Sequence, residues 1–205
     1  MYSKRLSELG ISSKYGCHSE QEIQELEVEM GVTLPSEYKN FLQRFGTLDF
    51  DDQEIIFYPA KHLVTHVDIE ARTFVNFYGL ENDDYDVRVL KARYEGRLPD
   101  EVIPIAECPG GDQLCIGVKK ETIGKIYHWD HHQETMHASS EKELWQALVL
   151  LHNNFKDFIM SFEKQEGVDP LEDSMIEEIK VSDKFLSRLN SSSANTLLSK
   201  SKKFR

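Results

Sequence analysis

The stretch that most restricts the fold is Pro109-Gly110-Gly111-Asp112-Gln113-Leu114-Cys115-Ile116-Gly117-Val118, followed after a polar turn by Gly124-Lys125-Ile126-Tyr127-His128-Trp129-Asp130-His131. Two adjacent glycines let the backbone take positive φ without a Cβ clash, and an alternating apolar run starts immediately after them. Leu114, Ile116 and Val118 share one face of a period-two strand, and Gly124 supplies another permissive position before the aromatic strand Ile126 to Trp129. The pattern predicts a β-hairpin with one aliphatic and one aromatic face. A glycine-rich phosphate loop opens a helix; this one opens a strand, so Asp112 is read first as a turn residue that bonds nearby backbone.

Helical spacing appears on both sides of this β region. Ile23, Leu26 and Met30 step by three and four before Gly31, which suits a C-terminal cap. Pro35 and Glu37 then fit the first turn of a second helix, whose stripe is Tyr38, Phe41, Leu42 and Phe45. Glu54 to Tyr58 reads as a strand closed by Pro59, and Val102 to Ala106 as a short buried strand. Residues Asp68 to Tyr78 are read as helix, and the charged stretch from Leu80 to Leu98 as an exposed insertion. Leu144, Leu148, Leu151, Phe155, Phe158 and Phe162 alternate steps of four and three behind a Ser140/Glu143 capping-box spacing, which predicts one long helix. Gly167 and Pro170 break that pattern. Residues 167–205 are read as a charged extension, helical at first, with a basic tail.

Apolar residues make up 40% of the chain, enough for a globular core and too many for wholesale disorder. With 24 Lys+Arg against 36 Asp+Glu the net charge is -12, which argues against direct binding of nucleic acid and for a basic partner. The last ten residues hold Lys200, Lys202, Lys203 and Arg205 and no acid, so the rest of the chain is more acidic than the total. Cys17, Cys108 and Cys115 form no disulfide framework, the amino terminus has no continuous apolar run, and no stretch is long enough to span a bilayer. The expectation is a cytoplasmic protein with free thiols and no membrane contact.

Taken together, several of these segments resemble the SMI1/KNR4 family, also called the SUKH superfamily. The matching pieces are Glu29-Met30-Gly31-Val32-Thr33-Leu34-Pro35-Ser36-Glu37-Tyr38-Lys39-Asn40-Phe41-Leu42, Ile103-Pro104-Ile105-Ala106, Gly110 to Cys115, Gly124 to His131, and Phe155-Lys156-Asp157-Phe158-Ile159. Members commonly carry Asn-Gly-Gly after the second helix, where this chain has Arg44-Phe45-Gly46-Thr47. The resemblance covers about residues 18–163 and implies an α+β domain, placed at residues 1–166, with a central, mostly antiparallel, bent sheet flanked by helices. It also implies a binding role. Bacterial relatives are typically immunity proteins that neutralise a cognate polymorphic toxin, often a nuclease, by stoichiometric binding, and fungal relatives regulate cell-wall and stress signalling. The alternative reading is therefore a regulatory scaffold.

The residues assigned to a basic partner are the acidic groups Asp49, Asp51, Asp52, Glu54, Asp83, Asp84 and Asp86, together with Asp112 and Trp129. Trp129, like Tyr127, is a large ring suited either to the core or to an interface anchor. Neither acidic run has the glycine and distal glutamate of a calcium loop. The crowd His128, His131, His132 and His137 beside Asp130 raises a metal-dependent enzyme as a third reading. His128 and Asp130 alternate onto one side of a strand while His131 would point away, and no hydrolase metal motif or nucleophile elbow accompanies them. No catalytic residue, metal or cofactor is assigned from sequence.

Overall fold

The computed structural model describes residues 2–13, 17–50, 54–63, 71–81, 83–135 and 138–165. In chain order its elements are α1 (Tyr2–Glu8), β1 (Ile11–Ser13), α2 (Glu20–Met30), α3 (Ser36–Arg44), β2 (Leu48–Phe50), β3 (Ile55–Phe57), β4 (Arg72–Phe74) and β5 (Asn76–Phe77). These are followed by α4 (Val87–Arg93), β6 (Val102–Glu107), β7 (Gln113–Gly117), β8 (Ile126–Trp129), α5 (Glu141–Leu144), β9 (Leu148–His152), α6 (Phe155–Met160) and β10 (Phe162–Lys164). Strands β5-β6-β7-β8-β9 form one antiparallel sheet, β10-β3-β4 a second, and β1-β2 a two-stranded ribbon. This is the α+β fold that the resemblance implied.

The glycine-led hairpin sits at the centre of the larger sheet. Gly110 (φ 83°) and Gly111 (φ 95°) make the turn between β6 and β7, which the Cys108 N–H closes onto the Asp112 carbonyl at 3.0 Å. Gly117 has a different reason to be glycine: a Cβ there would stand 1.9 Å from the Thr122 carbonyl oxygen. Every residue of β7 and β8 is buried, so the hairpin is covered on both faces, its centre lying beneath other elements rather than half in water.

Helix α2 begins in a capping box. Ser19 Oγ accepts the Glu22 N–H at 3.2 Å while Glu22 Oε2 accepts the Ser19 N–H at 2.7 Å, and Gly31 ends the helix at φ 62°. Its buried Ile23 and Leu26, with Tyr38, Phe41 and Leu42 of α3, feed the core. There Phe74, Phe77 and Phe162 meet at ring-centroid distances of 4.6–6.0 Å, and Phe158 stands edge-on to Phe162 at 4.8 Å. Each fully buried ring is worth about 1.5–3 kcal/mol of transfer free energy, so this cluster is the main tie between the two sheets.

Three sequence expectations are corrected. The stretch expected as one helix from Leu144 to Phe162 is α5, a 3-10 turn, β9, α6 and β10. Its apolar steps satisfy helical spacing, but the β8 edge offers a ladder that Leu148 to His152 complete, and Asn154 restarts a helix by accepting the Asp157 N–H at 2.8 Å. Ser140 makes no cap; Ser139 takes Glu143 instead. The described part of Asp68 to Tyr78 is β4 and β5, paired with β3 and β6. The stretch from Leu80 to Leu98 is not an exposed insertion: it contains α4, capped by Asp86, which buries Val87 and Leu90 and packs on β6. The reading of 167–205 lies outside the described residues.

Candidate functional site

The acidic run that starts at Glu81 is folded rather than loose. Asp83 Oδ1 accepts the Tyr85 N–H at 2.8 Å, the Asp86 N–H bonds the Asp83 carbonyl at 3.1 Å, and the Val87 N–H reaches back to Gly79 at 2.9 Å. This turn aims its members in opposite directions. Asp84 is exposed, its side chain 87% accessible, and Tyr85 is half exposed, whereas Asp86 is wholly buried. Asp86 Oδ1 caps α4 through the Arg88 N–H at 2.8 Å, and its two oxygens take Arg88 Nε at 2.9 Å and Nη2 at 2.6 Å. Arg88 also lies 3.7 Å from Glu29 at the end of α2.

Between this turn, α4 and the Gly110-Gly111 turn lies a cleft of ≈ 240 Å³ lined by Tyr78, Tyr85 and Tyr94, by Asp84, Arg93 and Glu107, and by Gly111 and Gln113. It is smaller than the roughly 300–1,000 Å³ of ordinary small-molecule sites and about right for a long side chain. The Tyr78 and Tyr85 rings stand 6.4 Å apart. Burial pushes the Tyr78 hydroxyl pKa up, so it stays protonated and donates to Gln113 Oε1 at 2.6 Å, while Gln113 Nε2 donates to the Gly111 carbonyl at 3.2 Å. Arg93 meets Asp84 at 3.0 Å with both groups largely in water, a pair worth at most about 1 kcal/mol and free to exchange partners. Asp84 and Glu107 against Arg93 leave the lining with one excess negative charge.

Asp112 opens a second cluster beside the cleft. Its Oδ1 accepts the His131 N–H at 3.1 Å and lies 2.9 Å from His131 Nδ1, and its Oδ2 lies 3.1 Å from His128 Nε2. Arg72 Nη1 is 3.0 and 3.1 Å from the two ring nitrogens of His128, a near-equality that puts the guanidinium against the ring rather than at the end of one N–H. Burial, then the Arg72 charge, push His128 down to about 4, so the neutral ring donates Nε2–H to Asp112. Burial raises the Asp130 carboxyl, but hydrogen bonds from Gln133 and the His132 N–H outweigh it and hold the pKa below the usual range.

The structure thus gathers only some of the sequence candidates. Asp84 lines the cleft opposite Gly111, Asp83 lies in the turn beside it, and Asp112 belongs to the neighbouring histidine cluster. Asp86 is committed to Arg88, and Trp129 is fully buried, stacked edge-on to Tyr94 at 5.2 Å beneath the Arg97 guanidinium. Neither offers surface to a partner. Glu54 is exposed but accepts the Gln165 N–H through its carbonyl, on the β10-β3 edge. Asp49 pairs with Ser12 across β2-β1, while Asp51, Asp52 and His137 lie outside the described residues. The cleft's Tyr78, Tyr85, Tyr94, Arg93 and Glu107 went unread. They come from β5, a turn, α4 and β6, so no local spacing joins them; the one local clue was Asp86 ahead of Val87, Leu90 and Tyr94, a cap before a helical stripe.

Residues 18–161 match the family model described as the SMI1 / KNR4 family (SUKH-1). The chain belongs to that family. The SMI1/KNR4 match takes in the cleft and the Asp112 cluster but not α1, β1 or β10; Leu6 of α1 and Phe162 of β10 are nevertheless buried in the core, and β1 pairs with β2. The chain is also 29% identical over 179 residues to "SPbeta prophage-derived uncharacterized protein YokK" of Bacillus subtilis (strain 168), which covers 83% of this chain and 88% of that protein. Among the described residues no helix is long and apolar enough to cross a membrane.

Proposed function

We propose that this SMI1/KNR4 protein is a cytoplasmic immunity-type protein that binds a basic protein toxin and neutralises it by occlusion, without catalysis. Family membership over residues 18–161 carries the reading. Charge supports it: an acidic chain of net -12 attracts a basic partner and speeds its encounter, and toxins that act on nucleic acid are basic to suit their substrate. The cleft supplies a place for contact. A lysine or arginine entering it meets the exposed face of Tyr85 and the carboxylates of Asp84 and Glu107, combining cation–π and charge-assisted contacts of about 0.5–2 kcal/mol each.

The test pairs this protein with the product of the gene adjacent to its own, by size-exclusion chromatography, titration calorimetry and a toxicity-rescue assay. A one-to-one complex that weakens with salt and restores growth is the expected result; a protein that neither binds nor protects ends the reading. Within a positive result, Asp83→Lys with Asp84→Lys and Tyr85→Ala should each weaken binding at least tenfold. Unchanged affinity in all of them removes the cleft as the contact while leaving the immunity role intact.

A further inference from the structure

We propose that Asp112, Asp130, His131 and His132 form a site for one divalent transition-metal ion of the zinc class. One donor atom from each lies within 4.8 Å of every other. Two ligands on a tetrahedral ion held at about 2.0–2.1 Å stand about 3.3 Å apart, so the four donors need to close by at most about 1.5 Å. The means of closing is present: the His132 side chain is 79% exposed, with room on its solvent side to turn, and its Nδ1 already lies 3.6 Å from Asp130 Oδ1.

The site is built from both turns of the central hairpin region. Asp130 ends β8 and caps the 3-10 turn His131–Gln133, accepting the His132 N–H at 2.9 Å, which throws two consecutive imidazoles to the same side with ring centroids 3.8 Å apart. Asp112 reaches them from the β6–β7 turn, where Gly111 takes the positive φ of 95° that the turn requires. Outer contacts hold the carboxylates in place: His128 Nε2–H on Asp112 Oδ2, and Gln133 Nε2 on Asp130 Oδ2 at 2.7 Å. Two carboxylates balance a divalent ion, and two imidazoles select against calcium and magnesium, which take oxygen ligands. Since Gly111 also lines the tyrosine cleft, the bound ion would pin one rim of it.

The experiment is calorimetric titration of the tag-free full chain with zinc chloride, repeated with calcium chloride. One equivalent of zinc and no saturable calcium binding are expected. His132→Ala, Asp112→Asn and His131→Ala should each weaken zinc at least tenfold, about what even outer-shell losses cost, and Cys17→Ser should change nothing. His132 is exposed, so its variant tests the site without touching the fold; circular dichroism checks the other two. Absence of stoichiometric zinc, equal affinity for calcium, loss on Cys17→Ser, or full affinity in a folded His132→Ala or His131→Ala variant overturns the assignment.

Discussion

Replacing Asp86 separates scaffold from surface within the acidic turn. Asp86→Ala removes an N-cap bond, worth about 1 kcal/mol, and two charge-assisted bonds to Arg88 in a fully buried setting. Breaking a buried ion pair from one side costs about 3–5 kcal/mol when the survivor is trapped, but Arg88 keeps 28% side-chain exposure and can turn to water or to Glu29, so the low end applies. With the cap counted inside that figure, the loss should be about 3 kcal/mol in all. At about 2–4 °C per kcal/mol for a chain of this size, the melting temperature falls by about 6–12 °C. Asp86→Ser restores a capping oxygen but no charge and should recover about 1 kcal/mol of the deficit. Urea denaturation followed by far-UV circular dichroism measures both. A cost below about 1 kcal/mol for Asp86→Ala, or a serine variant no more stable than the alanine one, would refute the claim that Asp86 anchors α4.

Two further predictions follow from burial elsewhere. Burial pushes the Cys108 thiol up to about 12 and raises Cys115 as well, while Cys17 is exposed, so Ellman's reagent should titrate one thiol in the native protein and three in denaturant; rapid native reaction of a second thiol contradicts the buried placement. Burial also depresses the pKa of His152, whose Nε2–H donates to the Tyr58 carbonyl at 2.9 Å. The unfolded chain then takes up that proton first as pH falls, so the stability tied to the neutral ring is complete above the unfolded pKa of about 6.5 and drains away below it. Melting between about pH 7.5 and 5.5 should show a shallower loss in His152→Gln than in the parent; equal slopes would mean the ring is not buried neutral.

Local chemistry made part of the fold readable. Gly31 and Pro35 punctuate α2 and α3 by backbone rules that tertiary structure does not override, and the Gly110-Gly111 turn followed by alternating apolar residues has few outcomes other than a strand. Leu148 to His152 shows where such reading stops. The aliphatic side chains of Leu148 to Leu151 suit a helix or a strand equally, and the choice belongs to the open edge of β8, a partner about 20 residues upstream. Asn153-Asn154 did carry the break, because asparagine caps a helix better than it continues one, but apolar periodicity masked it. The site was less legible than the fold for a related reason. Charge in sequence says how many carboxylates a chain owns, not which way each one points.

The turn at Asp83–Asp86 makes that distinction physical. An Asx turn at Asp83 reverses the chain within four residues, so Asp84 and Tyr85 face water beside the cleft while Asp86 faces inward to hold α4 and, through Arg88, approaches the end of α2. A surface pair such as Asp84–Arg93 contributes almost nothing to stability, and Tyr85 leaves nearly half its surface in water, so residues 84 and 85 can change at less cost to folding than residue 86. Asp86 cannot. The same short segment therefore contains both the part whose chemistry is free to suit a partner and the part that holds it in place, and the two are separated by one backbone hydrogen-bonded turn. Under the proposed binding role that separation would let the surface vary while the scaffold stays fixed, and here it falls between residues 85 and 86.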